Sequence, residues 1–437
     1  IISAIAIQRV KAILVPINTR FKGAEASYIL NKTKAKILFT VKDFLGVDYP
    51  LLLKDEYLPD LQNFIFLDER SGNSSWNEFI QIALPKNKNL EQKFKSNLVA
   101  DIIFTSGTTG NPKGVMVTQK QNLKVFENWS RHVGLNEDDR YLIVNPFFHT
   151  FGYKAGWLAC IMRGALILPH QVFDPQSVLK RIEKDQVSMM PGPPTLYQSI
   201  MDAKNFNSFD ISSLRTAVTG ASTIPVQLIN DMKNVMNINT VLTAYGLTES
   251  CGVVTMCNPG DSSELIANTS GTSIDGIEVR CITKDGKVAA PDEPGDIYVK
   301  GYNVMLGYYE EPEQTKEAIS EDGWLNTGDI GVINRQGYLS ITDRSKDMFI
   351  VGGFNTYPAE IENILASHSY ISSSAVIGIP EERLGEVPKA FVILKESCLL
   401  EEKELIKWCR AHMANYKVPR EISFVTALPL NASGKVM

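Results

Sequence analysis

Residues 105–115 read TSGTTGNPKGV, and they follow an apolar run, residues 99–104, that is typical of a buried strand. The stretch holds three glycines, one lysine and four hydroxyl side chains. Glycines let backbone N–H groups approach an anion, hydroxyls add hydrogen-bond donors, and Lys113 adds positive charge. The stretch therefore predicts a phosphate-binding loop between a strand and a helix. A tight glycine turn without a ligand is the alternative interpretation.

The loop matches neither of two common nucleotide-binding motifs. A P-loop of the form G-x-x-x-x-G-K-[ST] is excluded because Pro112 stands where the second glycine is needed and glycine follows Lys113. The dinucleotide motif G-x-G-x-x-G is absent as well. The identity of the phosphate ligand therefore depends on the rest of the chain.

The sequence around the loop predicts an α/β fold. Between about residues 98 and 255, short apolar runs that end in Gly, Pro or Ser alternate with amphipathic segments such as DPQSVLKRIEKD, residues 174–185. This alternation is typical of βαβ units and predicts a doubly wound, mostly parallel sheet. Ligands of such sheets bind beyond the carboxyl ends of the strands.

The character of the chain changes twice towards the carboxyl end. Residues 270–342 contain short alternating strands separated by turns, which predicts a small antiparallel sheet or β-barrel. Beyond these we expect a smaller α+β domain, in which Pro358 begins one helix and a second helix carries Leu405, Cys409, His412, Met413 and Tyr416.

We therefore expect two domains, a large one over residues 1–342 and a smaller C-terminal one over residues 343–437. The chain begins at Ile1 in what resembles a helix entering a strand. We accordingly expect the large domain to be truncated at its N-terminus.

Composition excludes several other classes of protein. The 44 basic and 49 acidic residues give a net charge of −5, which argues against a general binder of nucleic acid or anionic membranes. The 6 cysteines form no CxxC pair and the 5 histidines are dispersed, so we expect reduced thiols, no disulfide framework and no metal cluster. The most apolar stretch, residues 157–168, is too short to span a bilayer. A cytoplasmic location is expected.

Five motifs, in order, resemble those of the adenylate-forming (AMP-binding) enzymes, which include acyl-CoA synthetases, firefly-type luciferases and peptide-synthetase adenylation domains. They are TSGTTGNPKGV (105–115), AYGLTES (244–250), GWLNTGDIG (323–331), DRSKDMFIVGGFNTYPAEIE (343–362) and NASGK (431–435). The resemblance covers nearly the whole chain and implies that the phosphate belongs to ATP. It implies that a carboxylate attacks the α-phosphate to give an acyl-adenylate and pyrophosphate. A thiol, that of CoA, then takes the acyl group and releases AMP.

The resemblance assigns roles to individual residues. Glu249 matches an acid that holds Mg²⁺, with Thr105 as a second contact, and Thr248 matches a hydroxyl near the α-phosphate. Asp329 matches the acid that accepts both ribose hydroxyls, a task suited to a carboxylate. A capping glutamate and a turn aspartate are the alternatives for these two acids. The other positions matched to ATP are Ser106, Gly107, Thr108, Thr109, Gly110 and Lys113 for the phosphates, Gly220, Ala221, Ser222, Tyr245 and Gly246 for adenine, and Arg344 for ribose.

The C-terminal motifs imply a two-step cycle. Lys435 matches the catalytic lysine that steadies the carboxylate and the phosphorus transition state in the first step. Lys346 matches the hinge residue about which the small domain rotates. The rotation withdraws Lys435 and brings Gly352 and Gly353 towards the adenylate for the reaction with CoA.

The segment NPFFHTFGYKAG, residues 145–156, matches the lining of the family's acyl pocket. His149 would lie at the pocket mouth, with Phe148 and Tyr153 as apolar walls, although aromatics of this kind equally fill a core. Members that activate amino acids usually carry an aspartate here, and this segment has no acid. The expected substrate is therefore an apolar organic acid. The segment, with GPPTLYQS at residues 192–199, resembles that of bacterial acyl-CoA ligases, which implies a medium-chain or steroid-derived acid.

The sequence thus predicts an acid–CoA ligase with Mg²⁺ as cofactor and ATP, CoA and a carboxylic acid as partners. The alternatives left open are a ligase that loads a carrier protein, a luciferase-like oxygenase and a non-catalytic ATP- or acyl-binding relative. No nucleic-acid partner and no transmembrane segment are expected, and a homodimer is left open.

Overall fold

The computed structural model describes residues 1–68, 75–82, 96–105, 112–220, 224–344, 349–351, 354–356, 358–381, 384–413, 415–430 and 436–437. It divides into two units, Ile1–Lys120 and Gln121–Met437. The predicted domain boundary at residue 342 stays a prediction.

The first unit carries the two strands that flank the glycine-rich loop. They pair antiparallel, with Thr105 opposite Lys113. The strand predicted before the loop is confirmed, but the chain continues from the loop into a second strand and only then into a helix. The elements are α1 (Ile2–Arg9), α2 (Gly23–Lys32), β1 (Ile37–Thr40), β2 (Asp43–Phe44), β3 (Val47–Asp48), α3 (Tyr49–Leu52), β4 (Asn63–Phe66), α4 (Trp76–Ile82), β5 (Val99–Thr105) and β6 (Lys113–Thr118).

The second unit contains the predicted parallel sheet. Met189 forms parallel bridges to Tyr141 and Thr216 and so links two parallel strand pairs into one sheet. Two short strands extend that sheet antiparallel. The strands are β7 (Arg140–Ile143), β8 (Leu166–Pro169), β9 (Thr216–Gly220), β10 (Thr240–Tyr245), β11 (Thr255–Met256) and β12 (Thr272–Ser273).

Helices between these strands cover the sheet with their apolar sides. Leu179 and Ile182 of one helix and Ile229 and Met232 of another are fully buried, because residues three or four apart share a helix face. The helices are α5 (Gln119–His132), α6 (Thr150–Gly152), a π-helix (Tyr153–Leu158), α7 (Ala159–Arg163), α8 (Pro175–Asp185), α9 (Pro194–Met201), α10 (Val226–Asn234), α11 (Ser263–Asn268) and two 3₁₀ turns (Phe206–Ser208 and Thr248–Ser250).

The predicted small antiparallel sheet follows, with the strand order β13-β14-β16-β17. Its last two strands place Arg344 opposite Asp329 in the backbone register. The two positions expected to contact ribose therefore lie on neighbouring strands. The elements are β13 (Ile277–Ile282), β14 (Gly295–Gly301), β15 (Gly307–Tyr308), α12 (Pro312–Ala318), β16 (Leu325–Ile333) and β17 (Leu339–Arg344).

The described residues beyond Arg344 form the predicted α+β arrangement. The helix at Pro358 is confirmed, but the second predicted helix ends at His412, so Met413 and Tyr416 lie beyond it. Both still pack against the core of this region. The elements are β18 (Phe349–Val351), β19 (Phe354–Thr356), α13 (Pro358–Ala366), β20 (Ile371–Glu381), β21 (Gly385–Leu394), α14 (Glu402–His412) and β22 (Glu421–Phe424).

In the described ranges, none of the helices has both the length and the apolar character needed to cross a bilayer.

All six cysteines are free, and only Cys398 is partly exposed. Burial raises the pKa of Cys281 and of Cys409 to about 11, so both stay protonated at pH 8. Because the thiolate is the nucleophile, we expect iodoacetamide at pH 8 to alkylate Cys398 first in the native protein. The buried thiols should react only after denaturation. Peptide mass spectrometry reads the order, and native labelling of Cys281 or Cys409 at the rate of Cys398 would contradict it.

Candidate active site

A hydrogen bond joins two of the predicted nucleotide-binding residues. The Tyr245 hydroxyl, at the carboxyl end of β10, donates to Oδ2 of Asp329 in β16 at 2.6 Å. A carboxylate has about four acceptor positions, so this bond leaves Asp329 with capacity for further donors. The predicted adenine contact and the predicted ribose acid are thus adjacent, although they lie 84 residues apart in sequence.

Glu249 lies in the 3₁₀ turn that follows β10. The turn is held by Ser250, whose Oγ accepts from the Leu247 N–H at 3.1 Å and donates to the Leu247 carbonyl oxygen at 3.0 Å. Cys251 ends the turn in the left-handed region at φ +57°. The turn presents Glu249 and Thr248 beyond the end of β10, where ligands of parallel sheets bind.

The Glu249 carboxylate has a partner that the sequence did not predict. The Tyr308 hydroxyl donates to its Oε1 at 3.1 Å. Burial, the Glu249 charge and this hydrogen bond together raise the pKa of Tyr308 well above its ordinary value, so the phenol stays neutral and remains a donor. No spacing pattern signals the contact, because the two residues are 59 positions apart.

Glycine is required at two of the predicted adenine-site positions, because another stretch of backbone passes close to each of them. A Cβ on Gly220, whose φ is +153°, would lie 2.9 Å from the Ala244 carbonyl oxygen. A Cβ on Gly246 would lie 2.3 Å from the Gly252 carbonyl oxygen. Close backbone packing alone therefore accounts for both glycines, and their contact with adenine stays a prediction.

The predicted phosphate residues Thr105 and Lys113 belong to the first unit. The Thr105 hydroxyl donates to the Lys113 carbonyl oxygen at 3.5 Å, across the two ends of the hairpin. Their phosphate contacts stay predictions. Other predicted positions lie outside the described residues: Ser106, Gly107, Thr108, Thr109, Gly110, Ala221, Ser222, Lys346, Gly352, Gly353 and Lys435.

The predicted acyl-pocket segment forms α6 and the π-helix after it. His149 caps α6, because its Nδ1 accepts from the Phe151 N–H at 3.2 Å. Tyr153 is 1% exposed and stacks on Trp157 with ring centroids 4.6 Å apart. Such burial suits a core residue as well as a pocket wall, and the pocket roles of Tyr153, His149 and the half-buried Phe148 stay predictions.

Sequence reasoning also missed a buried lysine in this segment. Lys154 has no exposed surface, and its Nζ lies 3.9 Å from Sγ of Cys251. Cys251 in turn donates to Oδ1 of Asn122 in α5 at 3.3 Å. These contacts connect the predicted acyl-pocket helix to the turn that carries Glu249.

The described residues contain no cluster of three or more His, Cys, Asp or Glu side chains suited to a metal ion. Mg²⁺ needs no such cluster when it binds with a nucleotide, since one or two carboxylates and the phosphates supply its oxygen ligands. The chemistry of Glu249, a partly buried carboxylate at a strand end, fits that requirement.

Comparison with known proteins identifies the family. The sequence profile described as AMP-binding enzyme matches residues 1–309, and that of the AMP-binding enzyme C-terminal domain matches residues 360–435. The chain is 44% identical to the 3-[(3aS,4S,7aS)-7a-methyl-1,5-dioxo-octahydro-1H-inden-4-yl]propanoyl:CoA ligase of Mycobacterium tuberculosis, over 100% of this chain and 85% of that protein. It is 33% identical to the human medium-chain acyl-CoA ligase ACSF2, mitochondrial, over 97% of this chain and 73% of that protein.

Solved structures of CoA ligases are similar to this chain as well. The anthranilate CoA ligase AuaEII in complex with anthranoyl-AMP superposes with a TM-score of 0.89 at 29% identity, over 99% of this chain and 83% of that one. The o-succinylbenzoate CoA synthetase MenE of Bacillus subtilis, in complex with its acyl-adenylate intermediate, superposes with a TM-score of 0.84 at 28% identity. The match covers 99% of this chain and 84% of that one. The chain belongs to the AMP-binding enzyme family, in the acyl-CoA synthetase branch of the adenylate-forming enzymes.

Proposed function

We propose that the protein is an ATP-dependent acid–CoA ligase that acts on an apolar carboxylic acid. The acid is already ionised at pH 7, so its oxygen attacks the α-phosphate of ATP without a general base, and pyrophosphate leaves. The CoA sulfur then attacks the acyl carbon, the acyl–oxygen bond breaks, and AMP leaves. The observation that carries this proposal is the hydrogen bond between Tyr245 and Asp329, two residues that the motifs match to ATP binding.

In the proposed first step, different residues bind different parts of ATP. Asp329 accepts the ribose hydroxyls, and Tyr245 holds its carboxylate in place through the 2.6 Å bond. By the motif matches, Glu249 of the second unit would hold Mg²⁺. The motif matches assign Thr105, Lys113 and the loop between them, in the first unit, to the β- and γ-phosphates. Mg²⁺ supplies positive charge that offsets the charge on the phosphates.

Residues 343–437 act as the mobile domain of the cycle. Lys435 supplies a positive charge during adenylation, and Lys346 is the hinge. Gly352 and Gly353 approach the adenylate when CoA reacts. Support for these roles comes from the motif matches and from the family profile over residues 360–435.

We infer that the acid is compact and apolar, with a ring system as the favoured class. Two relatives, 44% and 43% identical to this chain, are named for a bicyclic propanoate, and two solved relatives are named for aromatic acids. The acyl-pocket segment contains no carboxylate and stacks Tyr153 on Trp157. Such a pocket suits a flat or fused apolar ring better than an ammonium group.

The test supplies the purified protein with Mg²⁺, ATP and a panel of ring-bearing, medium-chain and amino acids. We expect AMP and pyrophosphate to form only with an accepted acid, and hydroxylamine to trap that acid as a hydroxamate before CoA is added. A CoA thioester should then form with CoA. Hydroxamate without a thioester would favour a carrier protein as the acyl acceptor. Light emission would favour a luciferase-like oxygenase. ADP, or no acid-dependent turnover, would overturn the proposal in favour of a binding protein.

A further inference from the structure

Residues 303–308 contact the Glu249 turn at two places and the chain just after the turn at a third. Asn303, which is fully buried, donates from Nδ2 to the Val253 carbonyl oxygen at 2.8 Å. The Met305 N–H donates to the Glu249 carbonyl oxygen at 2.9 Å. The Tyr308 hydroxyl donates to Oε1 of Glu249 at 3.1 Å. The first bond fixes the backbone just after the turn, the second fixes the backbone of Glu249, and the third fixes the carboxylate itself.

Tyr308 is anchored from the opposite side by α12. Its N–H donates to the Thr315 hydroxyl oxygen at 2.9 Å, and that hydroxyl donates to the Glu311 carbonyl oxygen at 2.8 Å. A Cβ on Gly307 would lie 2.6 Å from Cγ2 of Thr315, so the chain passes α12 in close contact just before Tyr308. The position of the phenol is therefore set by the packing of β15 against α12.

This anchoring matters because a glutamate side chain is intrinsically mobile. Three rotatable bonds separate the Glu249 carboxylate from its backbone, and each must be fixed before a metal ion can be received in one geometry. A neutral phenol bound to Oε1 restricts that motion without adding a competing charge. The carboxylate keeps acceptor capacity, since its two oxygens together offer about four lone-pair positions.

We propose that Tyr308 is a positioning residue whose hydroxyl orients the Glu249 carboxylate towards Mg²⁺ and ATP in the first half-reaction. The inference rests on the proposed function. It requires Tyr308 for adenylate formation but not for transfer of the acyl group from a preformed adenylate to CoA. Because Tyr308 acts through Glu249, its effect should also disappear when Glu249 has no carboxylate.

The test compares Tyr308→Phe, which removes only the hydroxyl, with the control Tyr309→Phe at the neighbouring phenol. We expect Tyr308→Phe to raise the Mg²⁺ concentration for half-maximal hydroxamate formation by about tenfold, as loss of a hydrogen bond to a charged group implies. Thioester formation from synthetic acyl-AMP and CoA should stay within about twofold of wild type. Tyr309→Phe should match wild type in both assays.

Calorimetric titration gives a readout that does not depend on turnover. Mg²⁺ should increase the affinity of the wild type for a non-hydrolysable ATP analogue. In Tyr308→Phe, most of this Mg²⁺-dependent increase in affinity should be absent. In a Glu249→Ala background, Tyr308→Phe should cause no further change. Thermal unfolding identifies any variant that has lost its fold. If Tyr308→Phe does not fold, Thr315→Val serves as a second variant, because it removes the hydroxyl that accepts from the Tyr308 N–H. It should change the Mg²⁺ dependence in the same direction.

Two failures are distinguishable. If Tyr308→Phe shows the wild-type Mg²⁺ dependence in turnover and in binding, the positioning role is wrong while the ligase proposal stands. If the wild type forms no acid-dependent AMP, the ligase proposal fails, and the titration still decides whether Tyr308 affects binding of the metal with the nucleotide.

Discussion

Replacing Lys435 with alanine is expected to slow acyl-adenylate formation by about 10²–10³-fold, because one preorganised charge that stabilises a transition state typically contributes that factor. The same variant should convert a preformed acyl-AMP and CoA to thioester at nearly the wild-type rate. The proposed rotation about Lys346 withdraws Lys435 before the second step, so its charge is absent from that transition state. Single-turnover assays of each half-reaction measure the two effects separately.

The matched control is Lys407→Ala, which removes an exposed lysine from α14. It should leave both half-reactions unchanged. Lys435→Arg keeps the charge but alters its geometry and should recover only part of the adenylation rate, since arginine and lysine are not interchangeable at a positioned contact. An equal loss in both half-reactions for Lys435→Ala would contradict the alternating roles of the C-terminal domain.

The fold was predictable where local pattern determines it. The apolar run before the loop, the helix at Pro358 and the antiparallel sheet each carry a period or a turn signal within about ten residues. Strand β6 was missed because Pro112 and Gly114 mark a loop, yet the backbone pairs in register through Gly114. The end of α14 was missed as well, since Met413 and Tyr416 continue the helical spacing although the backbone at Met413 is extended.

In the candidate site too, residues within a local motif were predictable and contacts between distant segments were not. Glu249, Asp329 and Tyr245 lie in motifs that the sequence shows directly, whereas Tyr308, the hydrogen-bond partner of Glu249, does not. Tyr308 reaches Glu249 across 59 residues, and Lys154 reaches Cys251 across 97. Such pairs are created by the packing of separate elements, and no spacing rule within one segment encodes them.

The second large effect is expected for Asp329→Asn, which should lower kcat/KM for ATP by about 10²-fold. A carboxylate accepts both ribose hydroxyls through charge-assisted bonds, each contributing about 1.5–3 kcal/mol. The amide removes the charge and turns one acceptor into a donor, but its oxygen can still accept from Tyr245. The loss should therefore fall on nucleotide binding, with thermal stability near that of wild type.

Substrate discrimination makes this prediction specific to ribose. The wild type should prefer ATP to 2′-deoxy-ATP, and Asp329→Asn should lose most of that preference, because the acceptor of the 2′-hydroxyl is weakened. Tyr245→Phe provides the control. It removes the Tyr245 hydrogen bond to Asp329 but keeps the carboxylate, so activity should fall by less than about tenfold while the preference for ATP remains. If Asp329→Asn retained the wild-type preference, Asp329 would be a structural partner of Tyr245 instead of the ribose acceptor.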